Sequence, residues 1–200
     1  MKQNDFISKA VCELLEDGFS LRLPMTRSID GKYGGWFSGE TKQKEFVVAM
    51  KRDCAFEIFV HEYCHYLQWK ERPEFYNKKA RGCDVVFNWL DGEDYSDRVL
   101  AKAFANVIEL EWDCERTVLQ LAKRYKLPID VEKYIRGANC YLFFYHTVHE
   151  TRAWTSKNRS PYSPRFRALA QNVLHPFEYY LDTANYDAKL RRGHRKICSA

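Results

Sequence analysis

The chain has 200 residues and a mass of 23.8 kDa, the size of one domain or of a domain with a lobe. At 46% hydrophobic and 30% charged it can bury a core, which excludes global disorder, and 9 Gly with 6 Pro exclude a fibrous or low-complexity chain. The net charge of +5 permits an acidic partner without requiring one. The apolar run Tyr141 to Tyr145, like every other in the chain, is far short of the ~20 residues of a membrane span, so no membrane partner is expected. The opening Met1-Lys2-Gln3-Asn4-Asp5 carries an acid and no apolar stretch, unlike a secretory signal. Seven scattered cysteines without a Cys-x-x-Cys pair do not read as a disulfide framework. A cytoplasmic protein with mostly small, buried thiols is expected.

Along the chain, Phe6, Ala10, Val11, Leu14 and Leu15 recur at helical spacing until Gly18. Phe19 to Leu23 alternates like a half-buried strand and ends at Pro24. Trp36-Phe37-Ser38, between glycines, reads as a short strand or hairpin arm, and Phe46 to Met50 as a central strand. Asp53 is a candidate cap for a helix carrying Phe56, Phe59, Val60, Tyr63, Cys64 and Leu67 to about Lys70. Residues 71–96, polar and with Gly82 and Gly92, read as an irregular insertion. A second long helix is expected from Asp97 to about Lys126, and a third, capped by Asp130, to about Trp154. A Pro-rich break at Ser160–Pro164 and shorter helices follow. The class is α+β: a small N-terminal sheet and its helix over 19–70, then a helical part over 97–190, in one domain over 1–200.

His61-Glu62-Tyr63-Cys64-His65 matches H-E-x-x-H. With 6 His and 15 Glu in the chain, chance supplies roughly 0.01 occurrences. It lies mid-helix, where residues four apart share a face. Two imidazoles so placed can grip one ion, and the intervening carboxylate can reach a water on it without ligating. The neighbours are apolar, and imidazoles in a buried stripe need a polar partner, which a metal supplies.

A catalytic zinc needs a third protein ligand. The extension H-E-x-x-H-x-x-G-x-x-H fails, because Gln68 stands at the glycine place and Glu71 at the last His place. The helix from Asp97 offers Glu109, Glu111, Asp113 and Glu115. Steps of three and four from Ile108 reach Glu111, Glu115 and Val118. Glu111 and Glu115 are therefore expected on the core face, with Glu109 and Asp113 pointing away.

H-E-x-x-H with a downstream helical Glu resembles the gluzincin branch of zinc metallopeptidases. The run Glu111-Trp112-Asp113-Cys114-Glu115-Arg116 is similar to the E-x-E-A-N/D segment of the ImmA/IrrE family, with Cys114 in the small-residue place and Glu115 in the Asn/Asp place. That family also has a small sheet before the motif helix, and the resemblance spans residues 19–122. It implies that His61, His65 and Glu111 hold Zn²⁺, that Glu62 is the general base, and that Glu115 orients a ligand His. With the register shifted by one turn, Glu115 is the ligand and Glu111 the support.

On the third long helix Ile135, Ala138, Leu142, Tyr145, His149 and Arg152 fall on one face. Tyr145 and His149 have the chemistry of donors that stabilise an oxyanion, and equally that of core residues with satisfied polar tips. The Trp36-Phe37-Ser38 strand suits a sheet edge along which an extended peptide pairs, and equally an ordinary hairpin. The basic run Leu190 to Lys196 lacks aromatic interleaving and gives little basis for a nucleic-acid partner. The expected activity is that of a zinc-dependent endopeptidase acting on a protein or peptide substrate. The alternative is a non-catalytic, zinc-stabilised regulatory protein, which would need both His but not Glu62.

Overall fold

The computed structural model describes residues 1–31, 33–40, 43–155 and 160–198. The chain forms two compact units. The first comprises Met1–Pro73 and Arg116–Ile129, the second Glu74–Glu115 and Asp130–Ala200. The class is α+β, with a small N-terminal sheet followed by a mostly helical remainder.

The first unit begins with α1 (Gln3–Glu16), whose Phe6, Ala10 and Leu14 are buried at the expected spacing. Gly18, at φ +79°, turns the chain, and the Phe19 N–H bonds back to the Leu14 carbonyl at 3.0 Å. Three strands follow: β1 (Ser20–Arg22), β2 (Gly35–Glu40) and β3 (Gln43–Val48), in the order β1-β3-β2. β3 is parallel to β1 and antiparallel to β2, with Phe37 opposite Phe46 and Trp36 opposite Val47. The continuous run Phe46-Val47-Val48 is fully buried because β3 is the central strand.

The motif helix α2 (Ala55–Glu71) packs on this sheet, with the Phe59 ring 5.0 Å from Phe46. Gly39 of β2 lies against Trp69, where a Cβ would overlap the indole. α1 braces the other flank. Phe6 sits 5.5 Å from Tyr63, Tyr63 donates to Glu13, and Tyr66 donates to Asp17 at 2.7 Å. The Lys70 ammonium closes on Asp17 at 2.8 Å. α2 is therefore fixed by aromatic packing and charge-assisted bonds beside its polar triplet. Asp53 does not cap it: the N-cap is Cys54, without a side-chain cap bond, and the Ala55 N–H turns back to the Arg52 carbonyl.

The second unit corrects one expectation. Residues 71–96 are not irregular, since α3 runs over Pro73–Leu90. Its buried stripe is Lys79, Gly82, Val86 and Trp89, spaced three, four and three. A lysine and a glycine on the inner face hid the helix from hydropathy. Lys79 pairs with Glu109 and donates to Asn106 Oδ1 at 3.1 Å, both on α4 (Asp97–Tyr125). Gly82 is needed because a Cβ there would stand 2.8 Å from the Ala103 carbonyl.

α5 (Val131–Thr151) is capped by Asp130, whose side chain accepts from the Lys133 N–H, as expected. Three short helices, α6 (Pro164–Arg167), α7 (Phe177–Leu181) and α8 (Ala188–Cys198), close the unit. Its core joins Phe104 and Ile108 to Phe144 and Val148, with Tyr180 and Leu190 packed on them. No helix of the described residues is long and apolar enough to cross a membrane.

Candidate metal centre

α2 carries the adjacent His61 and Glu62, and His65 one turn later, at its middle. The two imidazole centroids are 4.8 Å apart, with planes at 86°. Nδ1 of His65 lies 2.8 Å from Oε1 of Gln68, itself 1% exposed. An amide oxygen only accepts, so this bond calls for a protonated Nδ1, the tautomer in which Nε2 is the nitrogen able to ligate a cation. Gln68 thus does for His65 what an orienting carboxylate does in many metal sites. The sequence marked Gln68 only as a departure from a glycine. Its position three residues after His65, on the same face, was the available signal.

Glu62 is 8% exposed and packs beside the edge strand. A Cβ at Gly35 would stand 3.3 Å from Glu62 Cγ and 2.8 Å from the Val47 carbonyl. The first residue of β2 is thus a glycine where sheet and carboxylate meet. β2 has β3 on one side and, among the described residues, no strand on the other.

On α4, residues 110, 111, 113, 114 and 115 are all buried. Within 110–115 only Trp112 is partly exposed, which corrects the expectation for Asp113: it is 4% exposed, not turned outward. Glu109 is partly exposed and pairs with Lys79. Glu111 and Glu115 are buried, as the periodicity required.

Among the described residues, His61, His65 and Cys114 form a group whose ligand atoms all lie within 4.8 Å of one another, a set that can hold a metal ion. The donors, two imidazoles and a thiol, suit zinc and other borderline-soft cations alike. Cys114 was read from the sequence only as a small residue. Its place three residues after Glu111, on the same side of α4, was the missed signal.

Tyr145 and Glu111 meet in the second unit. The Tyr145 hydroxyl donates to Glu111 Oε1 at 3.3 Å, and the Tyr141 hydroxyl lies 2.8 Å from that of Tyr145. Burial, then the Glu111 charge, push the Tyr145 hydroxyl well above the usual tyrosine range, so it remains a donor. His149 does not share this place. It is exposed, with its ring 4.5 Å from Phe104, which precedes Glu111 by two helical turns, about 10 Å along the axis. The two donors expected on one stripe therefore do not converge. In the basic tail, Arg191 and Arg195 both pair with Glu150.

No family model, curated protein or solved structure matches the chain.

Proposed function

We propose that the protein is a zinc-dependent endopeptidase of the H-E-x-x-H type, similar to the gluzincins and nearest to the ImmA/IrrE-like pattern, acting on a protein or peptide in the cytoplasm. The observation that carries this reading is Glu62: a carboxylate between two candidate ligand His, packed at the start of an edge strand. His61 and His65 hold the ion, and α4 supplies the third ligand. Glu111 is the ligand that the resemblance implies, with Glu115 supporting.

Zinc, when bound, supplies the Lewis acidity that makes water a nucleophile near neutral pH. Glu62 takes a proton from that water as its oxygen attacks the scissile carbonyl carbon. As the C–N bond breaks, Glu62 passes the proton to the leaving amine. Gln68 keeps the His65 lone pair directed at the ion throughout. An extended substrate pairs with the outer edge of β2, so that main-chain bonds bring its carbonyl to Glu62.

A second reading, a zinc-stabilised regulatory protein without activity, gains from Cys114. A thiol beside two imidazoles is also a donor set of structural zinc sites. Such a site has no use for Glu62. Incubating the zinc-loaded protein with a mixed peptide library, and reading new termini by mass spectrometry, separates the two. Cleavage by wild type that Glu62→Gln abolishes, with zinc retained, supports the peptidase; equal profiles for both proteins support the regulator.

A further inference from the structure

The loop between β3 and α2 sets an arginine beside the start of the edge strand. A Cβ at Gly34 would stand 3.0 Å from Arg52 Nη1, 3.6 Å from its Cζ and 3.0 Å from Ile58 Cδ1. A Cβ at Gly35 would stand 3.0 Å from Ile58 Cγ2 and 3.3 Å from Glu62 Cγ. The guanidinium, Ile58 and Glu62 therefore form a row along two consecutive residues that lack side chains. All of them belong to the first unit. Ile58 and Glu62 are one turn apart on α2, so the helix fixes their spacing. The inner side of the strand is taken: the Gly34 carbonyl accepts from the Ala49 N–H at 2.9 Å, and Gly35 is in register with Val48.

Arg52 is partly buried, and no carboxylate among the described residues pairs with its guanidinium. Elsewhere in the unit cations meet acids, as Lys9 does Glu13 and Lys70 does Asp17. A guanidinium stays charged at any working pH and offers a planar fork of N–H donors that matches a carboxylate. We propose that Arg52 selects the substrate: the peptide that pairs with β2 carries an acidic side chain beside the scissile bond, and Arg52 binds that carboxylate. This rests on the peptidase reading above. Gly34 and Gly35 leave the row open to such a side chain. Along an edge that rises ~3.3 Å per residue, a side chain that reaches Arg52 while the reacting carbonyl lies at Glu62 belongs within about two residues of the bond that breaks. The net charge of +5 favours the approach of an acidic peptide.

The test uses the zinc-loaded full chain and matched alanine-rich peptides that carry a single Glu, Gln or Lys, each with a free and with an amidated C-terminus. Wild type should prefer the Glu peptide to the Gln peptide by ~10–100-fold in kcat/KM, the worth of a charge-assisted bond. Arg52→Gln should bring that ratio close to one, and Arg52→Glu should turn the preference toward the Lys peptide. Melting of each protein checks that it folds. A preference that vanishes on amidation assigns the carboxylate to the peptide terminus and overturns the side-chain assignment. A Glu-to-Gln ratio that is the same in wild type and both variants overturns the role of Arg52 and leaves the peptidase reading standing. If wild type cleaves none of the peptides, the peptidase reading fails. Fluorescence anisotropy of the labelled Glu peptide then decides on Arg52 separately: binding that Arg52→Glu loses supports a carboxylate site, and equal binding overturns it.

Discussion

Nδ1 of His65 and Oε1 of Gln68 are 2.8 Å apart on a single helix, one turn from each other. That bond decides which imidazole nitrogen faces a cation before any cation arrives. Gln68→Ala should therefore weaken zinc ~10–100-fold while leaving the helix intact. Gln68→Glu should retain affinity or raise it, since a carboxylate accepts the same proton with more charge. Chelator competition on the two variants checks the order.

Gly35 allows β2 to lie against Glu62. A Cβ would meet the Val47 carbonyl at 2.8 Å, which is backbone and cannot swing aside. Gly35→Ala should cost about 1–3 kcal/mol, the range for overpacking a fixed interior. It should also displace Glu62 and lower hydrolysis beyond the loss of folded protein. Urea unfolding gives the first effect, and turnover at saturating zinc the second.

Much of this arrangement was legible in the sequence, for identifiable reasons. The apolar run Phe46 to Met50 read as a central strand, which β3 is as far as Val48, and the period after Asp97 put Glu111 and Glu115 inside. α3 was not legible, because Lys79 and Gly82 occupy its buried face: one makes an ion pair, the other allows close approach of α4. Asp113 was misjudged for a related reason. A stripe of one-sided burial was assumed, whereas α4 is enclosed on nearly all sides over residues 110–115. Tyr145 and His149 share a sequence period yet part company, because Tyr145 meets Glu111 while His149 lies against Phe104, two turns before it on α4.

His194 is fully buried, bonded through Nδ1 to the Tyr186 hydroxyl, and its Nε2 has no hydrogen-bond partner among the described residues. Burial pushes its pKa down to about 3 from an ordinary 6.5. Between those values the unfolded chain binds a proton that the folded one does not, so stability rises with pH across that window. The contribution is full above pH 6.5 and is lost progressively as pH falls toward 3. His194→Leu should be less stable at pH 7, having lost the Tyr186 bond, yet show a flatter fall in Tm between pH 6.5 and 4. A slope equal to wild type would remove His194 as the acid-sensitive group.

Glu62→Gln preserves shape and removes the base. Zinc content should be unchanged and hydrolysis should fall by about 10²-fold or more. Its melting temperature in zinc should match wild type, which separates loss of chemistry from loss of fold.

The central claim is that α2 presents a metal site, and the most direct measurement is metal content by elemental analysis of protein purified without chelator. The account predicts one zinc per chain in wild type, none in His61→Ala or His65→Ala, and a melting temperature that falls when the metal is stripped and recovers when zinc is returned. Wild-type protein that carries no metal, and whose melting does not move when zinc is added, would contradict it.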